Sequence, residues 1–210
     1  MRKLPVYLLL DSSGSMYGEP FEAVKNGMQM LLSSLRQDPY ALETVHLGII
    51  TFDSSAQQAA PLTELSAFQL PDLKASGQTS MGAALKLLCE CMDREVSKTT
   101  PEKKGDWKPL VFMMTDGAPT DDIDSGIEEL KKHKFGMFVA CAAGKDANVP
   151  LLQKITESVV RLDSLENESI KAFFKWVSAS VSAGSVKVDN GKDVTNLDEL
   201  PPPPKEVIII

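Results

Sequence analysis

Five polar side chains in three separate segments could together supply the oxygen ligands of a divalent cation. They are two aspartates and three hydroxyl residues: Asp11, Ser13, Ser15, Thr79 and Asp116. A hard cation such as Mg²⁺ takes six oxygen ligands at about 2.0–2.1 Å and usually keeps several waters. If neutral hydroxyls bind it directly and the carboxylates act through water, the cation stays electrophilic. An open coordination position would then attract an Asp or Glu carboxylate from another protein.

Each of these segments also has a simpler structural interpretation. An Asp-x-Ser-x-Ser run after a strand often forms a hydrogen-bonded turn, and Asp116-Gly117 often forms a tight turn. Thr79 could equally cap a helix, and Asp121 and Asp122 are expected to be helix caps and part of a solvated acidic rim. The metal-site interpretation depends on all three segments occurring together, each behind the expected element and in the expected order.

The elements that must position these residues alternate between apolar strand-like runs and amphipathic helical segments. Residues 6–10 and 110–114 are short apolar runs typical of parallel strands that are buried on both faces. Asp11 and Asp116 follow these runs, at the strand ends where ligands of open α/β sheets bind. We therefore predict an α/β protein with a three-layer, Rossmann-like fold, in which helices cover both faces of a mostly parallel sheet.

Further strands are predicted at residues 44–52, 57–62, 136–142 and 159–162, and helices at about 20–35, 81–96, 123–133, from 150, and at 170–182. We expect one domain over residues 1–185 and an extended Pro-rich tail over 186–210. The tail has four consecutive prolines and ends in Val-Ile-Ile-Ile. It could be a flexible end, or a strand that pairs with this sheet or with a partner's sheet.

Composition restricts the classes of protein to which the chain could belong. A hydrophobic fraction of 43% predicts a folded domain, and a net charge of −7 argues against nucleic acid as a partner. The first apolar run is too short for a secretory signal, and no run is long enough to span a membrane, so we expect a cytoplasmic protein. The cysteines Cys89, Cys91 and Cys141 are odd in number and are expected to be reduced and buried. The two histidines have no partner at the spacing of a zinc site.

The three polar segments resemble the metal-ion-dependent adhesion site of von Willebrand A domains. The matching sequences are LLLDSSGSM at residues 8–16, GQT at 77–79 and MTDG at 114–117, and the resemblance extends over roughly residues 4–182. It implies that Ser13, Ser15 and Thr79 bind the metal directly, while Asp11 and Asp116 usually act through water. The expected cation is Mg²⁺, with Mn²⁺ and Ca²⁺ as alternatives.

A narrower resemblance is to the bacterial TerY-like subgroup, which is linked to tellurium resistance. It rests on KGDWKPLVF at residues 104–112 and on TDGAPTD at 115–121. TerY-like proteins are associated with kinase-like and phosphatase-like partners in bacterial stress-response systems. The resemblance thus implies an adaptor or regulator that binds other proteins. Trp107 could be an exposed partner anchor, or it could cover the edge of the sheet.

The main alternative is a Mg²⁺-dependent phosphatase of the haloacid dehalogenase type that uses Asp11 as its nucleophile. Such an enzyme needs a second Asp at position 13, and the hydroxyl of Ser13 cannot protonate a leaving group at neutral pH. A phospho-receiver domain could use Asp11, Asp116 and Lys145, but the acidic pair expected after its first strand is absent. We therefore predict no enzymatic activity.

Overall fold

The computed structural model describes residues 2–210 and contains one seven-stranded sheet between two layers of helices. The strands are β1 Leu4–Asp11, β2 Val45–Phe52, β3 Ala56–Glu64, β4 Leu110–Thr115, β5 Met137–Ala143, β6 Ser158–Leu162 and β7 Val207–Ile209. The helices are α1 Glu19–Gln37, α2 Pro39–Thr44, α3 Met81–Glu95, α4 Ile123–Leu130, α5 Val149–Ile155 and α6 Asn167–Asp189. The strand order is β3-β2-β1-β4-β5-β6-β7.

The sheet is parallel except at its two edges. β1 pairs in parallel with β2 on one side and β4 on the other, and β4, β5 and β6 continue in parallel. The edge strands β3 and β7 are antiparallel to their neighbours. This arrangement confirms the predicted α/β fold with a mostly parallel sheet. Because the chain leaves β1 towards β2 and returns on the other side in β4, a crevice opens between β1 and β4 at their carboxyl ends.

The alternating side chains of β1 divide the hydrophobic core into two halves. Val6, Leu8 and Leu10 pack in the half that includes α1 and α6, whereas Tyr7 and Leu9 pack in the half that includes α3 and α4. All eight residues of β1 are buried, as the continuous apolar run predicts. Burial of each large apolar side chain contributes about 1.5–3 kcal/mol, so this central strand fixes the position of Asp11 at its end.

The C-terminal part of the chain differs from the predicted boundaries. α6 continues to Asp189, beyond the predicted helix end at 182, because Val181 and Val188 keep its apolar face in the core. The short helix α2 was not predicted, although Asp38 caps it by accepting hydrogen bonds from the N–H groups of Tyr40 and Ala41.

The tail packs against the domain and ends in a strand. Trp176 Nε1 donates a hydrogen bond of 2.8 Å to the carbonyl oxygen of Pro201, and Val194 and Leu200 are buried. β7 then pairs with β6, with Val207 opposite Leu162. Of the two interpretations left open for the tail, the structure has the strand, paired with this chain's own sheet.

The three cysteines have the state that the sequence predicts. Cys89, Cys91 and Cys141 are free and buried, and burial raises the pKa of Cys89 to about 12.

None of the helices within residues 2–210 combines the length and apolar character needed to cross a membrane.

Candidate metal centre

Asp11 and Asp116 lie beside each other because β1 and β4 are neighbours in register. Leu10 is opposite Met114, so Asp11 is next to Thr115, and Asp116 follows directly. Thr115 Oγ1 donates a hydrogen bond of 2.5 Å to Asp11 Oδ2. The second oxygen of Asp11, Oδ1, accepts from the N–H of Ser13 at 2.9 Å. Both carboxylate oxygens are therefore held in fixed positions.

The two serines of the first loop connect it to the loop after β4. Ser13 Oγ and Ser15 Oγ are 3.0 Å apart, and Ser15 Oγ donates to Asp116 Oδ1 at 2.8 Å. Ser13 is buried, whereas Ser15 is exposed at the mouth of the crevice. Side-chain oxygens from the two loops thus form one continuous group that reaches solvent.

Hydrogen bonds from its main chain hold Thr79 beside the loop that follows β4. Its N–H donates to Thr120 Oγ1 at 3.1 Å, and its carbonyl oxygen accepts from the N–H of Thr120 at 2.9 Å. The Thr79 hydroxyl lies close to Gly117 in the loop after β4. Thr79 Oγ1 is 3.9 Å from the position that a Cβ on Gly117 would occupy. The structure thus brings all three predicted segments to one end of the sheet.

The loop that carries Thr79 is tied to the first loop by two further hydrogen bonds. The N–H of Gly14 donates to the carbonyl oxygen of Gly77 at 3.0 Å, and the N–H of Ser76 donates to the carbonyl oxygen of Ser12 at 2.8 Å. Gly77 has a φ of +74°, and a Cβ at this position would collide with Ser54 Oγ. Only glycine therefore fits this turn without strain.

Burial makes the two aspartates unfavourable as free anions. Asp11 is 1% exposed and Asp116 is 5% exposed. Burial raises the pKa of Asp11, although hydrogen bonds from Ser13 and Thr115 oppose the rise. Burial also raises the pKa of Asp116, and the negative charge of Asp11 adds to the rise while the Ser15 hydroxyl opposes it. A nearby cation would favour the charged form of both groups.

The donor set fits a hard divalent cation held mainly by neutral oxygens. Within residues 2–210, no group of three or more His, Cys, Asp and Glu side chains is arranged to hold a metal. A site here would therefore need hydroxyl oxygens, which Ser13, Ser15 and Thr79 supply beside two buried carboxylates. Oxygen ligands without imidazole or thiolate suit Mg²⁺, Mn²⁺ or Ca²⁺ rather than zinc.

Sequence reasoning missed two residues that support the centre, and it did not identify the helix that a third residue caps. Thr115 orients Asp11, and Thr120 holds the main chain of Thr79. Asp121 is a helix cap, as predicted, and the helix that it caps is α3: it accepts from Gly82 N and Ala83 N at 2.9 and 2.8 Å. The cap of α4 is Asp122 alone.

Tertiary structure decides which helix Asp121 caps. α3 begins with no cap from its own N-terminal residue, Ser80, and the loop after β4 lies across its first turn. Thr79 is not a side-chain cap either, since its hydrogen bonds to Thr120 use main-chain atoms. The cluster of polar residues at 115–122 in the sequence is the signal that could have indicated these roles.

Comparisons with known proteins agree with this architecture. Residues 6–174 match the model of the von Willebrand factor type A domain. The chain is 25% identical to human inter-alpha-trypsin inhibitor heavy chain H6 over 180 residues, which cover 79% of this chain and 13% of that protein. It is 26% identical to mouse collagen alpha-4(VI) chain over 79% of this chain and 7% of that protein. The chain thus spans a small part of the curated relatives it matches.

Solved structures with low sequence identity share the fold. A von Willebrand factor type A protein from Catenulispora acidiphila has a TM-score of 0.65 at 17% identity, over 87% of this chain and 43% of that one. The pilus adhesin SpaC of Lactobacillus rhamnosus GG has a TM-score of 0.68 at 15% identity, over 87% and 30%. From the match over residues 6–174 and this common fold, the chain belongs to the von Willebrand factor type A domain family.

Proposed function

We propose that this chain binds protein partners through a divalent cation held between the loops that follow β1, precede α3 and follow β4. The von Willebrand factor type A domain is a known protein-interaction module. The observation that carries the proposal is the continuous contact from Ser13 through Ser15 to Asp116, with the buried Asp11 just before the serines at the end of β1 and Thr79 Oγ1 close to Gly117. The cation would supply an electrophilic position that accepts a carboxylate oxygen from an Asp or Glu of the partner.

Each residue has a distinct task in this proposal. Ser13, Ser15 and Thr79 would contribute neutral oxygens, which leave most of the positive charge for the partner. Asp11 and Asp116 would hold water molecules around the cation and offset its charge from the buried side. Because Ser15 is exposed while Asp11 is buried, the partner would approach from the Ser15 side.

The geometry supports a binding role over a phosphatase that uses Asp11. A nucleophilic carboxylate needs an oxygen that can reach the substrate. In Asp11, one oxygen accepts from Ser13 N, the other accepts from Thr115 Oγ1, and the side chain is 1% exposed. Position 13, where such an enzyme needs its acid, is a serine that contacts Ser15.

The TerY-like resemblance extends the proposal to a biological role. The stretch at residues 104–112 and the loop after β4 carry that resemblance. We propose that the chain is an adaptor or regulator in a bacterial tellurite or stress-response system, where kinase-like and phosphatase-like proteins are its partners. A pull-down from the native host with Mg²⁺ or chelator, using wild type and Asp11→Ala, tests this role. Recovery of the same proteins in all samples would contradict it.

Thermal unfolding with Mg²⁺ or with chelator tests the metal site itself. A cation that binds only the folded chain at about a hundredfold over its Kd adds about 2.7 kcal/mol to the free energy of unfolding. We expect this gain in the wild type and its loss in Thr79→Ala. Thr63→Ala, in the edge strand β3, is the matched control and should retain the full gain. An equal Mg²⁺ response in Thr79→Ala and the wild type would reject the site.

A further inference from the structure

A groove of about 590 Å³ lies at the amino end of the sheet, opposite the candidate metal centre. Its apolar lining comes from Met92 and Val96 at the end of α3, and from Trp107 and Pro109 just before β4. Trp107 is half-buried and packs beside the larger core. The groove is therefore large enough for an apolar side chain and is open to solvent.

The loop that carries Trp107 is held firmly against the start of β1. The N–H of Trp107 donates to the carbonyl of Lys3 at 2.9 Å, and Asp106 accepts from the N–H groups of Lys3 and Ser97 at 3.0 and 2.9 Å. The guanidinium of Arg2 lies 3.5 Å from the centroid of the Trp107 ring. A groove held in this way needs little ordering when a ligand binds, which favours affinity.

The side chains around the groove are mainly basic, in a chain whose net charge is −7. Four lysines line the groove, against two aspartates, Asp93 and Asp106: Lys98, Lys108, Lys132 and Lys134. Asp106 is already engaged by main-chain N–H groups. The residues that line the groove thus include two more lysines than aspartates, whereas the whole chain has a net charge of −7.

Three of these lysines also contact carboxylates, one in the groove lining and two beside it. Lys98 is 2.9 Å from Asp93, and Lys132 is 2.6 Å from Glu129. Lys108 is 3.4 Å from Asp193. Such exposed pairs contribute about 0–1 kcal/mol each, so an incoming carboxylate can compete for the lysines.

We propose that this groove is a second docking surface, which binds an acidic peptide segment of a partner protein with one apolar side chain placed against Trp107. The apolar lining accounts for the inserted side chain, and the lysines account for flanking Asp or Glu residues. Tryptophan is enriched among the residues that contribute most of the binding energy at the centre of protein interfaces. The position of the groove, at the opposite end of the sheet, would let the domain hold two partners at once.

An acidic peptide fits the groove better than a nucleic acid does. Nucleic-acid binding depends on an extended basic surface that neutralises many phosphates. Here the lysines surround a pocket of limited volume in an acidic chain, and the accessible tryptophan has one ring face covered by Arg2. A DNA oligonucleotide is therefore included as a competitor of the acidic peptide in the binding assay.

The test uses short synthetic peptides that carry a central leucine or tryptophan flanked by aspartate and glutamate. Binding is measured by the anisotropy of a labelled peptide, and lysine-flanked peptides of the same length are the comparison. The chain has two tryptophans, and Trp176 is buried, so a change in tryptophan emission with a leucine peptide reports on Trp107. We expect saturable binding of the acidic peptides only.

Two variants locate the binding on the groove. Trp107→Ala should weaken it by about tenfold or more, as expected for a central aromatic residue. Because this change could also disturb the fold, Lys134→Glu, at an exposed groove position, is the second variant and should weaken binding by several-fold. Lys131→Glu, at an exposed position that is not part of the groove lining, is the matched control and should leave binding unchanged.

The same assay distinguishes peptide binding at this groove from peptide binding at the candidate metal centre. Peptide binding should be the same with Mg²⁺ and with chelator, and it should persist in Thr79→Ala. Binding that requires Mg²⁺ and Thr79 would place the peptide at the metal centre and overturn the groove proposal. Equal binding of lysine-flanked peptides, stronger binding of a DNA oligonucleotide, or an equal loss in Lys131→Glu would also overturn it.

Discussion

Ser15 Oγ donates a hydrogen bond of 2.8 Å to Asp116 Oδ1, although the two residues are 101 positions apart in the sequence. The bond joins the loop after β1 to the loop after β4, which are neighbours only because the chain crosses from one side of β1 to the other. The candidate metal centre therefore exists only in the folded chain. Changes that loosen either loop should therefore affect both the stability of the chain and its response to Mg²⁺.

Thr115→Val should weaken the candidate metal centre without creating a cavity or overpacking the core. The change removes the donor to Asp11 Oδ2 and keeps the volume of the side chain. Because a buried carboxylate loses a partner, we expect a loss of about 1–3 kcal/mol in the free energy of unfolding by urea. The stabilisation by Mg²⁺ should also decrease, because Asp11 is no longer held in place.

Thr44→Val is the control for this change. Thr44 is also buried, and its hydroxyl donates to the carbonyl of Tyr40 in α2. Its loss should lower stability but leave the Mg²⁺ response intact. An undiminished Mg²⁺ response in Thr115→Val would show that Asp11 needs no orientation by Thr115.

Asp121→Ala should destabilise the start of α3 and, with it, the position of Thr79. Asp121 accepts from two main-chain N–H groups, those of Gly82 and Ala83. Loss of a helix cap costs about 0.5–2 kcal/mol, which thermal unfolding can detect. Asp122→Ala removes the cap of α4 instead and should cost a similar amount. Only Asp121→Ala should reduce the Mg²⁺ response, so equal reductions in both variants would contradict the prediction.

Gly77→Ala should destabilise the chain more than Gly191→Ala, although both glycines have a similar positive φ. The φ values are +74° and +75°. An added methyl at Gly191 meets open space, whereas at Gly77 it collides with Ser54. The left-handed conformation costs a non-glycine residue about 1–2 kcal/mol, and the collision adds to this cost. Urea unfolding of both variants checks the difference, and equal losses would mean that Ser54 moves aside freely.

His46 should contribute a loss of stability as the pH falls below about 6.5, the ordinary pKa of histidine. Partial burial lowers the pKa of His46 in the folded chain, and the charge of Lys3 lowers it further, while the Thr44 carbonyl, Glu64 and Asp106 oppose the change. The unfolded chain therefore takes up a proton that the folded chain resists. The loss begins near the unfolded pKa and levels off below the folded pKa.

Urea unfolding between pH 7.5 and pH 5, values chosen to span roughly the range in which histidine titrates, measures this dependence. His46→Gln should make the curve flatter than that of the wild type. His133→Gln, which changes the other histidine, should leave the decline in place. A steeper decline in His46→Gln than in the wild type would contradict the assignment.

The strands that carry the candidate metal centre were predictable because their signal is local. The runs before Asp11 and Asp116 are apolar and short, and such runs form buried parallel strands wherever they lie in the chain. The boundaries of α6 and of the tail were less predictable. The helix extends to Asp189 because Val181 and Val188 are covered by the core, and the tail is ordered by contacts such as that from Trp176 to Pro201.

The residue types of the candidate site and their positions at strand and loop ends could be predicted, because both follow from local polarity and chain order. The side chains that support the site could not be predicted, because they come from segments that are distant along the chain. Asp121 caps α3 rather than α4, and Thr115 bonds to Asp11, because the strand order makes β1 and β4 neighbours. A hydrogen bond depends on the distance between two groups in space. Sheet pairing brings together residues that are far apart along the chain, so their spacing in the sequence does not indicate that they are in contact.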